Sequence, residues 1–241
     1  MAWYPANATY PSMLGELYSA AFTAPAFNWL CSPAVTELET IVLDWLARLL
    51  NLPRCFLSDG EGGGVIQGSA SEAVVTVMVA ARERYLNGMC EGLEGEEREQ
   101  RKAEVRGRLV ALGSSQTHSC TAKGALIAGV RYKSVPCRLE DDMAMTGAGL
   151  QGVLEECKCQ GLMPFYLTTT LGTTATCATD RFGEIKNVIK HHPNLWVHVD
   201  AAYAGAALVC EEYQHLTEHF GAYESFDINM HKWLLTNFDA R

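Results

Sequence analysis

Short apolar runs alternate with segments of helical length through most of the chain, and this alternation is the strongest constraint on its fold. The apolar runs are Leu109–Leu112, Tyr132–Val135, Phe165–Thr169, Trp196–Val199 and Phe226–Ile228. The segments of helical length lie near Cys120–Ala128, Leu150–Cys159 and Glu184–His191. Strands that alternate with helices predict an α/β fold with a mostly parallel sheet flanked by helices. Ligands of such sheets bind beyond the carboxyl ends of the strands, so polar residues there are candidates for chemistry.

Two further helices are predicted ahead of the first strand. One runs from about Ala34 to Leu50, because apolar side chains recur at helical spacing after Pro33. The other runs from Ser71 to about Leu86 and follows a glycine-rich turn. The high content of Glu, Arg and Lys in residues 91–108 indicates a solvated helix or loop.

Charge and cysteine usage limit the partners and the compartment. The formal net charge of −9 argues against nucleic acid and anionic membrane as partners, because both attract basic surfaces. The sequence contains no run of eighteen apolar residues and no secretory signal at its amino terminus. The nine cysteines include no Cys-x-x-Cys pair, which favours reduced thiols in a cytoplasmic protein and no metal site.

Two polar segments at predicted strand ends or turns have an ordinary structural interpretation as well as a functional one. Ser69, Ala70 and Ser71 open the long predicted helix, where free amides and the helix dipole favour a phosphate. Taken alone, a simple helix cap is the better interpretation of these residues. His118 follows the first predicted strand, and a lone histidine is more often structural than catalytic.

Two other segments favour a functional interpretation. Asp200 ends an apolar strand and is followed by small residues, so a flat ring could approach the backbone beside the carboxylate. The alternative is a helix-capping aspartate. Lys232 stands between His231 and Trp233 after another predicted strand, where a solvated surface charge is a poor explanation. A partly buried lysine can act as a nucleophile.

Together the four segments supply the parts that a pyridoxal phosphate site needs. They offer a phosphate cradle, an imidazole for stacking, an acid for a ring nitrogen and a Schiff-base lysine. The sequence thereby predicts pyridoxal 5'-phosphate as the cofactor.

Several motifs give the chain a family resemblance. They are Tyr10–Leu14, Ser32–Glu39, Gly64–Ala73, Thr170–Thr174, His198–Gly205 and His231–Leu235. In order and spacing they resemble the group II pyridoxal-phosphate-dependent decarboxylases, and within that family the branch that acts on aromatic amino acids. The resemblance covers nearly the whole chain.

The resemblance implies an aspartate-aminotransferase-like fold (fold type I) and a homodimer. It implies that Lys232 carries the cofactor, that Asp200 pairs with the pyridine nitrogen and that His118 stacks on the ring. The other implied cofactor contacts are Ala202 and Thr170 against the ring, and Ser69, Ala70, Ser71 and Asn229 at the phosphate. His231 is implied beside the reacting centre, and Phe27 as an aromatic contributed across the dimer. Trp3, Tyr4 and Pro5 match a substrate-pocket segment.

The resemblance also sets the expected organisation and two departures from it. Residues 1–50 are expected to hold substrate-pocket and dimer contacts, and residues 51–241 to form the cofactor-binding large domain. The chain is expected to be truncated at both ends, without the small C-terminal domain and the mobile catalytic loop. Met230 replaces a common proline, and Ala6 replaces a common threonine, which puts substrate contacts in doubt.

The resulting functional prediction is decarboxylation of an aromatic L-amino acid to its amine and carbon dioxide. One alternative is a catalytically inactive fragment that binds the cofactor or a partner. Another is an aromatic aldehyde synthase that uses the same cofactor, in which oxygen intercepts the intermediate.

Overall fold

The structure, a computed structural model, describes residues 7–238. Eight α-helices are described: α1 Tyr10–Phe22, α2 Pro33–Leu49, α3 Ala70–Met89, α4 Gly95–Arg106, α5 Cys120–Ile127, α6 Gly147–Cys159, α7 Phe182–Ile189 and α8 Met230–Trp233. The strands are β1 Leu109–Ser114, β2 Arg131–Val135, β3 Met163–Thr170, β4 Trp196–Asp200 and β5 Ser225–Asp227. Short 3-10 helices lie at Arg54–Phe56, Leu139–Asp141, Ala204–Val209, Glu211–Thr217 and Phe220–Ala222.

The described chain divides into two compact units. The sheet unit comprises Ser71–Asp200 and Ala222–Asp227 and contains every described strand. The helical unit comprises the described residues of 1–70, 201–221 and 228–241 and includes α1, α2 and α8. The predicted boundary between residues 50 and 51 separates segments by their functional roles. It therefore stays a prediction.

The sheet unit is built on five parallel strands in the order β2-β1-β3-β4-β5. All six residues of β1 are buried, so both faces of this strand are covered. Leu109 and Ala111 point to a cluster with Val74, Met78 and Phe165, which are also buried. Because alternate strand residues face opposite sides, this cluster places α3 against one face of the sheet. The predicted α/β class with a parallel sheet is confirmed.

The predicted strands and helices all overlap elements of the structure, with ends that differ by up to three residues, and one helix was not predicted. Each apolar run overlaps a strand, but β5 ends at Asp227, so the predicted inclusion of Ile228 is wrong. Ile228 lies instead against Gly205, where an added Cβ would come within 3.3 Å of its side chain. Helix α1 was not predicted, although its apolar residues do recur at helical spacing, at positions 10, 13, 14, 17, 18 and 22, and none of them is buried.

The helical unit has an exposed apolar surface on its first two helices. None of the residues of α1 is buried, and Tyr10, Leu17 and Phe22 are more than half exposed. On α2 the same holds for Leu38 and Trp45. Apolar surface on this scale is characteristic of an interface and not of a solvated face. Among residues 7–238, no helix has both the length and the apolar character needed to cross a bilayer.

Candidate functional site

The sheet unit gathers three of the predicted site residues at one edge. Asp200 is the last residue of β4, Thr170 is the last residue of β3, and the two are paired in register. His118 follows the end of the neighbouring strand β1 by four residues. Since parallel strands end at the same edge of a sheet, all three residues lie at its carboxyl edge.

A tight turn after β1 holds the imidazole of His118. The Thr117 side chain accepts a hydrogen bond from the Ser114 amide at 2.7 Å, and the Thr117 amide donates to the Ser114 carbonyl at 3.1 Å. The amide of Cys120 donates to Nδ1 of His118 at 3.2 Å. Because Nδ1 accepts, a neutral His118 carries its proton on Nε2. The ring is exposed, so its other nitrogen and its flat face are open to a ligand.

The Thr170 hydroxyl has an unmet hydrogen-bonding requirement. Thr170 is buried, and its Oγ1 has no hydrogen-bond partner within residues 7–238. A buried hydroxyl without a partner costs about 1–3 kcal/mol, so it is a good indicator of a missing ligand or water. Asp200 beside it is also buried, and it ends a strand whose preceding residues are apolar or buried.

Asp180, which the sequence did not single out, anchors this edge of the sheet. Its carboxylate accepts hydrogen bonds from the amides of Met145 and Thr170, both at 2.8 Å. Its own amide donates to the Thr170 carbonyl at 3.0 Å. Burial raises the pKa of Asp180 to about 7, against the two amide hydrogen bonds, and the negative charge of Asp200 adds to the rise. Its contact with Met145 is remote in sequence, so no local pattern could have indicated it.

We expect Asp180 to make stability depend on pH. In the unfolded chain its pKa is near 3.8, and in the folded chain it is about 7. Between these values the folded state holds the proton and the unfolded state does not, so the stabilisation present below pH 4 is lost as pH rises through 7. The contribution is roughly 4 kcal/mol.

Urea unfolding of wild type and Asp180→Asn across this range checks that prediction. The free energy of unfolding of wild type, relative to that of Asp180→Asn, should be highest near pH 4 and should fall by roughly 4 kcal/mol towards pH 8. Asp142→Asn, which changes an exposed carboxylate, is the matched control. If the free energy of unfolding changed with pH in the same way in wild type and Asp180→Asn, the prediction would be contradicted.

The helical unit holds the other predicted residues around α8. Asn229 precedes this helix, its amide donates to the Ala202 carbonyl at 3.3 Å, and its carbonyl accepts from the Lys232 amide at 3.1 Å. The Asn229 Oδ1 atom is buried without a hydrogen-bond partner in the described part of the chain. Lys232 is half-buried, as predicted, and His231 is buried.

Asn7 ties down the backbone at the predicted Schiff-base lysine. Its amide donates to the His231 carbonyl at 3.1 Å, and its side-chain Nδ2 donates to the Lys232 carbonyl at 2.8 Å. The rings of Trp233 and Tyr203 stack with their centroids 5.9 Å apart, and this contact further fixes the position of α8. Asn7 is 225 residues from Lys232 in sequence, so sequence reasoning had no signal for it.

The remaining predicted residues are placed as follows. Ser69 directly precedes α3, and Ala70 and Ser71 are its first two residues, which agrees with either a cap or a phosphate site. Phe27 is 74% exposed. Trp3, Tyr4, Pro5 and Ala6 lie outside the described residues. Within 7–238, no group of three or more His, Cys, Asp or Glu side chains is arranged to hold a metal ion.

Comparison with known proteins gives consistent matches over the whole chain. The family model described as the pyridoxal-dependent decarboxylase conserved domain matches residues 1–241. Aromatic-L-amino-acid decarboxylase of Bos taurus is 44% identical over 99% of this chain and 48% of its own length. The 3,4-dihydroxyphenylacetaldehyde synthase of Aedes aegypti is 42% identical over 99% of this chain and 45% of its own length.

A solved structure shares the fold. The crystal structure of Catharanthus roseus tryptophan decarboxylase in complex with L-tryptophan superimposes with a TM-score of 0.90 and 38% identity. The match covers 99% of this chain and 49% of that one. The chain therefore spans about half the length of the relatives it matches.

Proposed function

Because this chain belongs to the pyridoxal-dependent decarboxylase family, we propose that its protein converts an aromatic L-amino acid to the amine and carbon dioxide with pyridoxal 5'-phosphate as cofactor. The family resemblance and the expected fold type I architecture are both confirmed. The observation that carries the proposal is the register pairing of Thr170 with Asp200 at the carboxyl edge of the sheet, in a chain so similar to aromatic decarboxylases.

The buried orphan atoms fit the cofactor. Thr170 Oγ1 and Asn229 Oδ1 each need a hydrogen-bond partner, and the cofactor offers polar ring substituents and phosphate oxygens. Asn229 would need to turn its amide nitrogen to a phosphate, which the near-equivalence of amide oxygen and nitrogen positions permits. When bound, pyridoxal phosphate supplies an electron sink for the electron pair left on Cα as carbon dioxide departs.

The residues of the sheet unit are proposed to hold and polarise the ring. Asp200 places a negative charge for the ring nitrogen and favours its protonated form, commonly by about 1–3 pKa units. His118 stacks its exposed imidazole on the ring, held by the Cys120 amide. Thr170 lies against the ring with its hydroxyl. Ser71, with Ser69 and Ala70 just before it in the chain, binds the phosphate at the start of α3.

The residues of the helical unit are proposed to hold the cofactor covalently and to serve the reacting carbon. Lys232 offers its amine for attachment and gives it up when the substrate amine arrives. His231 adjoins the reacting centre, where a proton must be returned to Cα after carbon dioxide leaves. Ala202 keeps space for the flat ring, and Trp3, Tyr4 and Pro5 contribute to the substrate pocket.

The exposed apolar surface of α1 and α2 supports a homodimer. A second copy of the chain would cover side chains such as Leu17 and Trp45, which are more than half exposed. It would also cover Phe27, the residue proposed to reach across the dimer. All nine cysteines lie in the described part of the chain and none of them forms a disulfide there, which supports the expected cytoplasmic location.

The proposed activity is tested by incubating the full chain with pyridoxal phosphate and L-dopa, L-tryptophan, L-tyrosine or L-histidine. We expect carbon dioxide and the corresponding amine in equal amounts from at least one substrate. Omitting the cofactor and substituting L-glutamate are the controls.

Two other outcomes identify the alternatives. Carbon dioxide with aldehyde and peroxide identifies an aldehyde synthase, an activity that the name of the Aedes aegypti relative carries. Retention of the cofactor without carbon dioxide identifies a binding fragment that lacks catalysis. No retention of the cofactor contradicts every hypothesis that depends on the cofactor and leaves only a fragment that binds a partner.

A further inference from the structure

His198 on β4 is a buried histidine that the proposed reaction does not use. Its side chain is fully buried, and both ring nitrogens have partners. Nε2 lies 3.1 Å from Oδ1 of Asp227, and Nδ1 lies 2.9 Å from Oγ of Ser225. A carboxylate only accepts hydrogen bonds, so Nε2 of His198 must carry a proton. The ring of Tyr166 stacks on the imidazole with the ring centroids 6.2 Å apart, and it further shields the imidazole from solvent.

The partners of Ser225 fix the direction of the remaining hydrogen bond. The indole nitrogen of Trp196 donates to Oγ of Ser225 at 2.8 Å, and an indole N–H has no other option. The Ser225 hydroxyl hydrogen is then available for Nδ1 of His198. The result is a series of hydrogen bonds in which Trp196 donates to Ser225, Ser225 donates to His198, and His198 donates to Asp227. Such a chain holds the histidine in one tautomer and the carboxylate in one orientation.

Asp227 lies next to the proposed partner of the ring nitrogen. It is the last residue of β5 and is paired in register with Asp200, the last residue of β4. Residues paired in register on neighbouring strands point to the same face of a sheet, about 5 Å apart. The negative charges of both Asp227 and Asp200 contribute to raising the pKa of the buried Tyr166, after the larger effect of burial.

The second carboxylate oxygen of Asp227 takes no part in this chain of hydrogen bonds. The side chain is 9% exposed, and its Oδ2 is buried with no hydrogen-bond partner in the described residues. His198 donates a hydrogen bond to the other oxygen, Oδ1, and this contact holds Oδ2 as an available acceptor on the strand beside Asp200. A buried carboxylate keeps an unpaired oxygen at considerable cost unless a cation or donor compensates it.

We propose that Asp227, oriented by His198, is a positioning residue that adds a second negative charge beside Asp200 and so favours a cationic ring nitrogen in the bound cofactor. This inference rests on the proposed function. The other titratable groups around the pair are Tyr166 on β3, Cys120 at the start of α5 and Asp180, whose pKa the charge of Asp200 helps to raise. Arg84 lies 4.4 Å over the Trp196 ring and 3.4 Å from Glu224, at the other end of the chain of hydrogen bonds.

The first measurement needs no cofactor. Nitrogen-15 NMR of labelled histidine should show His198 with its proton on Nε2 and a bare Nδ1, assigned by the signal lost in His198→Gln. Ser225→Ala should alter that signal, because it removes the donor to Nδ1 while both carboxylates stay. A proton on Nδ1 of His198 in the wild-type protein overturns the proposal without any variant.

The second measurement follows the ring nitrogen of nitrogen-15-labelled pyridoxal phosphate bound to the full chain. In Asp227→Asn the pH at which this nitrogen loses its proton should fall by about one unit. The kcat should fall about tenfold with KM within twofold. Asp227→Ser gives the same comparison if the asparagine variant does not fold, and Asp142→Asn is the exposed control.

The outcomes separate this inference from the proposed function. If the wild-type protein does not retain the cofactor, the proposed function fails. If it retains the cofactor and the ring nitrogen titrates identically in wild type and Asp227→Asn, the role of Asp227 is overturned and the proposed function stands.

Discussion

A Lys232→Ala variant should lose covalent attachment of pyridoxal phosphate and should release carbon dioxide on the order of 1,000-fold more slowly, or not at all. Alanine has no amine, so the cofactor can bind only through its ring and phosphate contacts. The backbone of Lys232 is held by Asn7, and this hydrogen bond does not depend on the side chain. The loss should therefore be chemical, with little change in folding.

Borohydride reduction followed by peptide mapping measures the attachment directly. The wild-type peptide that contains Lys232 should gain the mass of the reduced cofactor, and the variant should gain it nowhere. Lys190→Ala is the matched control, since Lys190 is an exposed lysine that follows α7. Modification of another lysine in the wild-type protein would contradict the proposed role of Lys232.

An Asp200→Asn variant should lower kcat by about 100- to 1,000-fold, the range seen when one electrostatic contact to a transition state is removed. Asparagine keeps the size of aspartate and removes its charge, so the ring nitrogen loses the partner that keeps it protonated. Binding of the cofactor should weaken less than kcat, because the phosphate contacts and Lys232 remain.

The measurement is kcat and KM for carbon dioxide release, together with circular dichroism to verify folding. Asp142→Asn serves as the control for loss of one carboxylate, because Asp142 is exposed and paired with Arg181. A kcat of Asp200→Asn within threefold of wild type would contradict the role proposed for Asp200. Another group would then keep the ring nitrogen protonated.

Much of the fold could be predicted because its signals are local. Strands β1, β3 and β4 are short, largely buried runs, and β1 is an example in which six consecutive residues are buried. The helix at α2 was predicted from apolar residues at helical spacing, and its boundaries agree to within a residue. Helix α1 was not predicted although its apolar residues also recur at helical spacing, and the structure leaves all of them unburied.

The candidate site could be predicted only in part. Asp200 ends a strand and Lys232 follows one, each in a short recognisable motif, so the sequence indicated them. Asp180 and Asp227 were missed, because their importance comes from partners on other strands and loops. Asp180 acquires its role from the amides of Met145 and Thr170, and Asp227 from His198.

The sequence by itself determined which segments become strands and which polar residues end them, since both follow from local apolar periodicity and from the motifs. Only the tertiary structure decided the strand order β2-β1-β3-β4-β5, the pairing of Asp200 with Thr170 and with Asp227, and the link from Asn7 to Lys232. The physical reason is that register and long-range hydrogen bonds depend on how the whole chain packs, and no window of neighbouring residues contains that information.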